Sequence, residues 1–199
     1  LTETNAVGCS NFWGNYAAKP ASTGRRQKPY VELAIFGEGD RQLATGDVGE
    51  IGIRSAGNMT GYWRDPQATA EAFTPDGFMR TGDVGIMDER GFFRIVDRIK
   101  DMIIVSGFNV FPSELENVIS LCPGVVECAA IGIPDAMQGE TIKVFVVRND
   151  SMLTEDAVAK YCQENLTGYK RPKYIEFRDE LPKSNVGKIL RRELRTTAH

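Results

Sequence analysis

The sequence predicts an α+β protein in two parts: a β-rich first half, then a small domain with helices packed on a short sheet. Three observations predict it. Turn signals such as Gly39-Asp40, Gly46-Asp47, Asp76-Gly77 and Gly82-Asp83 punctuate short apolar runs in the first half. Helical and strand-like stretches alternate in the second half. Between them lies a charged stretch, Asp97, Arg98, Lys100 and Asp101, set directly before the apolar run Met102 to Val105 and Ser106-Gly107.

Taken in order, "VELAIF", "EIGIR", "FMRT" and "FFRIV" read as strands of a small barrel or sandwich. One helix interrupts them at "DPQATAEAF", where Asp65 is the N-cap and Pro66 occupies the first helical position. In the second half "PSELENVISLC" is helical. Ser113 and Glu116 have capping-box spacing, and Leu115, Val118 and Ile119 fall on one face. "VVECAAIGIP" and "TIKVFVVR" are buried strands, "LTEDAVAKYCQENL" is an amphipathic helix capped by Thr154, and "KYIEFR" is a strand. The boundary falls between Val96 and Met102, giving parts 1–98 and 99–199.

Composition bounds the function. Of the 199 residues 42% are hydrophobic, enough to bury a core, and the formal net charge of −3 argues against a dedicated nucleic-acid binder. Cys9, Cys122, Cys128 and Cys162 have no metal-ligand spacing, and the single histidine is His199. Free thiols in a reducing compartment are expected, not a zinc site or a disulfide framework. No signal peptide or membrane span is evident, so a cytoplasmic location is expected. Leu1 opens the chain without a methionine or a helix cap, which reads as a piece of something longer.

Some stretches carry chemistry, each with a plainer alternative. "RTGD", residues 80–83, is a tight turn; functionally, Asp83 could accept two hydrogen bonds from a vicinal diol such as a ribose. "SNVGKILRREL", residues 184–194, supports three readings. It is a solvated tail; or a membrane-surface helix with Ile189, Leu190 and Leu194 inward and Arg191, Arg192 and Arg195 outward; or Lys188 is aimed at a phosphate, beside a glycine that lets the backbone approach. A P-loop is excluded by spacing. Thr2-Glu3 could hold a phosphate and a magnesium ion, but alone the pair means nothing.

Order adds weight. "LTET", "DGFMRTGD", "VDRIKDMIIVSGFNVFPSELE" and "LPKSNVGKILRREL" follow one another in one chain. This succession resembles the adenylate-forming superfamily: acyl-CoA synthetases, adenylation domains of peptide synthetases, and luciferase. Within it the chain looks most like bacterial long-chain fatty acyl-CoA synthetases. The features are the "DGFMRTGDVG…GFFRIVDR" block, Asp97 before Arg98, and the "LTGYKRPKYIEFRDELPKSNVGKILRREL" ending; luciferases and 4-coumarate ligases share the Asp-Arg.

The resemblance implies roles. Thr2 would contact the nucleotide phosphate and Glu3 the magnesium. Asp83 would bind the ribose hydroxyls, supported by Arg98. Lys188 would be the catalytic cation at the α-phosphate and the substrate carboxylate. Lys100 would be the hinge, and Gly107 would line the pantetheine tunnel of coenzyme A. Residues 1–98 would end the large N-terminal domain as a β-subdomain, and 99–199 would be the mobile C-terminal domain. The family's main phosphate loop and most of its acyl pocket would lie upstream, in a missing N-terminal part. The implied substrates are a fatty acid, ATP with Mg²⁺, and CoA, with no prosthetic group and no nucleic acid. The location would be cytoplasmic, with peripheral contact at the inner membrane as a further expectation. Two other functions stay open: a ligase for an aryl or short-chain acid, and a non-catalytic membrane-docking or regulatory module.

Overall fold

The structure is a computed structural model, and it describes residues 2–4, 9–10, 19, 22–26 and 30–197. Leu1 and His199 lie outside the described residues. The chain divides into two compact units, Leu1–Ile99 and Lys100–His199.

The first unit is built on one antiparallel sheet. Its strands are β1 (Cys9–Ser10), β2 (Gly24–Arg26), β3 (Val31–Phe36), β4 (Val48–Ser55), β5 (Met79–Met87) and β6 (Phe92–Arg98), in the order β1-β2-β6-β5-β4-β3. Within this unit the described residues form one sheet with β1 and β3 at its ends, and Cys9 of β1 packs on the cluster that holds Val31, Leu33 and Ile35 of β3. The sheet needs apolar residues on both faces, because β3 is covered on both. Val31, Leu33 and Ile35 join Ile51 and Phe93 in one cluster. Ala34 and Phe36 join Phe78 in another, with the Phe36 and Phe78 rings edge to face at 5.2 Å. Helix α1 (Pro66–Glu71) starts as its sequence dictates, with Asp65 accepting from the Ala68 amide at 2.9 Å.

The second unit centres on β10 (Gly139–Arg148). It pairs antiparallel with β9 (Val125–Asp135) and parallel with β11 (Tyr174–Phe177). At Gly139 it meets β7 (Ile103–Val105), which forms a hairpin with β8 (Phe108–Val110). Helices α2 (Pro112–Ile119) and α3 (Glu155–Asn165) bury Leu115, Ile119, Val158 and Cys162 against Ile103, Val110, Ile142 and Val144. A second cluster joins Ala129, Ile131 and Phe145 to Leu181 and to Leu194 of α4 (Arg191–Thr196). The Thr154 cap holds, its hydroxyl accepting from the Ala157 amide at 3.2 Å.

The capping box does not form. Pro112 takes the first helical position, so Phe111 is the N-cap and Ser113 already lies inside the helix. Glu116 is then too far along to reach back. Its carboxylate instead accepts from the Ala130 amide at 2.9 Å and pairs with Arg191.

Candidate active site

Residues 80–83 form not a tight turn but a bulge inside a strand. Gly52 pairs with Arg80 and Glu50 with Val84, so Thr81, Gly82 and Asp83 together oppose Ile51. Gly82 takes φ +68°, a conformation a side chain resists, and its amide donates to Glu50 Oε1 at 3.0 Å. Thr81 Oγ1 donates to the Ile51 carbonyl at 2.7 Å and accepts from the Asp83 amide at 3.1 Å. Arg80 ties the same place to Asp40 and Glu50, at 2.5 and 3.3 Å. The bulge therefore has its Gly82 and Asp83 amides satisfied by side chains while it re-aims Asp83. Sequence reasoning missed Glu50 and Thr81. The Thr next to Gly82 was a signal; Glu50 had none.

Asp83 pairs in register with Arg98 on the neighbouring strand. Arg98 Nε lies 3.0 Å from Asp83 Oδ1, with side chains 42% and 17% exposed. One carboxylate oxygen is thus turned to a guanidinium, leaving acceptor capacity on the group as a whole. Asp97, beside Arg98, is buried, and its Oδ1 accepts from the Arg98 amide at 2.8 Å. Elsewhere in this unit Thr2–Thr4 form a 3₁₀ turn. The Glu3 carbonyl accepts from the Met59 amide at 2.7 Å, and Tyr62 Oη donates to Glu3 Oε1 at 3.4 Å. Lost hydration, and then the nearby Glu3 charge, push the Tyr62 phenol above its usual range. Glu3 supplies one hard oxygen donor. No group of three or more metal-ligating side chains exists among the described residues, so a magnesium ion here would depend on phosphate oxygens and water.

In the second unit Lys188 is exposed on a closed turn. Ser184 N–H donates to the Lys188 carbonyl at 2.8 Å, and the Lys188 amide donates to Ser184 Oγ at 3.2 Å. Lys183 and Ile189 bridge below it, and Gly187 takes φ +78°. The lysine ammonium is thus carried on a fixed backbone with a free stem. Gly107 lies in the two-residue turn between β7 and β8, with φ +84° after Ser106 at φ +50°. Apart from its chain neighbours, no atom of the described residues lies within 4 Å of where a Gly107 Cβ would stand.

Lys100 is exposed in the 3₁₀ turn Ile99–Asp101. Asp101 is not hydrated as its charge suggests: it is 9% exposed, with Arg191 and Arg195 beside it. Arg191 likewise does not point outward. Its side chain is 14% exposed against Glu116. Leu194 is fully buried in the unit's own core, so the apolar face of α4 is already used. The membrane-surface reading of this helix loses its basis. Among the described residues no helix is long and apolar enough to cross a membrane.

In sequence and in fold the chain is similar to adenylate-forming enzymes. Residues 114–188 match the AMP-binding enzyme C-terminal domain family. The chain is 53% identical over 170 residues to a long-chain-fatty-acid–CoA ligase of Escherichia coli O157:H7, covering 85% of this chain and 30% of that protein. It is 42% identical over 197 residues to a long-chain-fatty-acid–CoA ligase of Bacillus subtilis, covering 98% of this chain and 34% of that one. Among solved structures it is similar to ATP-bound MatB from Rhodopseudomonas palustris (TM-score 0.85, 38% identity, 92% of this chain and 37% of that). It is also similar to a Mycobacterium tuberculosis fatty acyl CoA synthetase (TM-score 0.66, 37% identity, 98% and 38%). The chain spans about 30% of the length of the E. coli relative.

Proposed function

We propose that this chain belongs to an AMP-forming long-chain fatty acid–CoA ligase. What carries the reading is 53% identity to a protein of that name, together with the Asp83–Arg98 pair and the exposed Lys188 turn. The reaction has two steps. A fatty carboxylate oxygen attacks the α-phosphorus of ATP, and pyrophosphate leaves. The thiol sulfur of CoA then attacks the acyl carbonyl, and AMP leaves while the thiol gives up its proton.

Each residue has a part in this proposal. Asp83 accepts from the ribose hydroxyls, with Arg98 holding its carboxylate in place. Thr2 donates to a phosphate oxygen. Lys188 brings a compact positive charge to the α-phosphate and the carboxylate, two anions that would otherwise repel. Glu3 would hold magnesium, which supplies charge neutralisation at the phosphates when bound. Lys188 serves the first step and the Gly107 turn the second, where a side chain at 107 would obstruct a thin pantetheine arm. The Lys100–His199 unit turns about Lys100 between them. The enzyme works in the cytoplasm.

The test is on the full-length ligase containing this chain. Pyrophosphate release should depend on ATP and a long-chain fatty acid, and acyl-CoA should accumulate only when CoA is added. Turnover of an aryl or short-chain acid in preference to palmitate would overturn the substrate class; no release with any acid would overturn the enzyme reading.

A further inference from the structure

The C-terminal helix carries a charge cluster that the proposed chemistry does not use. Arg191 Nη2 lies 2.9 Å from Glu116 Oε1 and 2.7 Å from Oε2. Its Nη1 lies 3.9 Å from Asp101 Oδ2. One turn on, Arg195 Nη2 lies 3.6 Å from Asp101 Oδ1 and donates to the Lys100 carbonyl at 3.3 Å. Glu116 is itself pinned to β9 through the Ala130 amide. Two arginines thus face two carboxylates drawn from three separate parts of the unit: its first residues, α2 and α4. The pairs at Arg191 are shielded, with Arg191, Glu116 and Asp101 side chains 14%, 16% and 12% exposed. Shielded pairs of this kind hold geometry, because breaking one leaves an uncompensated charge.

The same helix begins three residues after Lys188. Leu190 N–H donates to the Pro182 carbonyl at 2.8 Å, and Lys183 pairs with Glu127 at 2.9 Å. The lysine turn therefore stands directly on α4, and α4 is clamped to the segment Lys100–Asp101.

We propose that Arg191 is a positioning residue: through Glu116 and Asp101 it locks the Lys188 turn and the Lys100 segment into one rigid piece. A torsional change at Lys100 then moves Lys188 as a body, not through a loose tail. This rests on the roles proposed above for Lys188 and Lys100. Without Arg191 the helix would keep its leucine contacts and the longer, more exposed Arg195 pair, and Lys188 would spread over positions too broad for an in-line attack.

Two arms test it. The first needs no activity: amide hydrogen exchange of this chain and of Arg191→Met and Arg191→Lys. Arg191→Met should raise exchange about tenfold at 184–196 and at 100–104 together, with α3 unchanged, and Arg191→Lys should fall between. A rise confined to 184–196, or one that includes α3, overturns the coupling. The second arm uses the full-length ligase. Arg191→Met should lower kcat for acyl-adenylate formation about tenfold, leave the KM for ATP alone, and be partly rescued by lysine. A KM effect without a kcat effect overturns the proposal. A wild-type protein with no ligase activity overturns the reading of function, and the exchange arm then decides the clamp.

Discussion

Asp83 and Lys188 are held by opposite means. Asp83 lies on a strand, in register with Arg98, and a bulge whose Gly82 and Asp83 amides are held by side chains fixes where it points. Lys188 lies on a turn, exposed, with only its backbone fixed. The first arrangement suits the proposed ribose acceptor, a group that must hold one shape. The second suits the proposed catalytic cation, a charge that has to arrive and leave between two reactions. Rigid backbone with a mobile stem separates where the residue starts from how far its ammonium reaches.

Removing the mobile charge should show the largest effect. Lys188→Ala in the full-length ligase should slow acyl-adenylate formation by about 10²–10³. It should spare CoA transfer from supplied acyl-adenylate. Single-turnover pyrophosphate release against thioester formation checks this; equal losses would erase the contrast.

The fixed group should matter in binding. Asp83→Ala should lower kcat/KM for ATP by roughly tenfold to a hundredfold, the worth of charge-assisted hydrogen bonds. The variant should also cease to distinguish ATP from its 2′-deoxy and 3′-deoxy analogues. Retained discrimination would remove Asp83 from the ribose.

A change at Lys100, the proposed hinge, sharpens the comparison. Proline at 100 fixes φ near −65° and restricts Ile99. Lys100→Pro should leave acyl-adenylate formation nearly intact and slow CoA transfer about tenfold. A matched change in both rates would place the pivot elsewhere.

The smallest effect concerns stability. Burial pushes the Cys128 thiol up to about 12 and the Cys162 thiol up to about 11. Both belong to the Lys100–His199 unit. In the unfolded chain these thiols ionise near pH 8.5–9, so above that pH the folded state holds more protons and stability falls as pH rises. The stability they contribute is whole below about pH 8 and lost on the way to pH 11–12. Melting curves from pH 8 to 10.5 should slope less steeply in a Cys128→Ala/Cys162→Ala variant than in wild type.

What the sequence by itself determined is local. Asp65 and Thr154 cap the helices that follow them because a cap needs only a side-chain oxygen and an amide three residues on. The longer strands of both halves, β3 to β6 and β9 to β11, were legible from apolar runs between turns, while the short β1, β2 and β8 were not; the order of motifs from "LTET" to "LPKSNVGKILRREL" was enough to bring out the family resemblance. The Ser113–Glu116 spacing misled for an equally local reason: Pro112 claimed the first helical position and moved the frame. What only the tertiary structure decided is partnership across distance. Nothing in a spacing of fifteen residues says that Asp83 meets Arg98, because strand register decides it. Arg191 reads as one more basic residue on a solvated helix until Glu116 and Asp101 are brought under it. The helix repeat fixes which residues share a face, but whether a charged face meets water or buried carboxylates depends on what the rest of the chain packs against it.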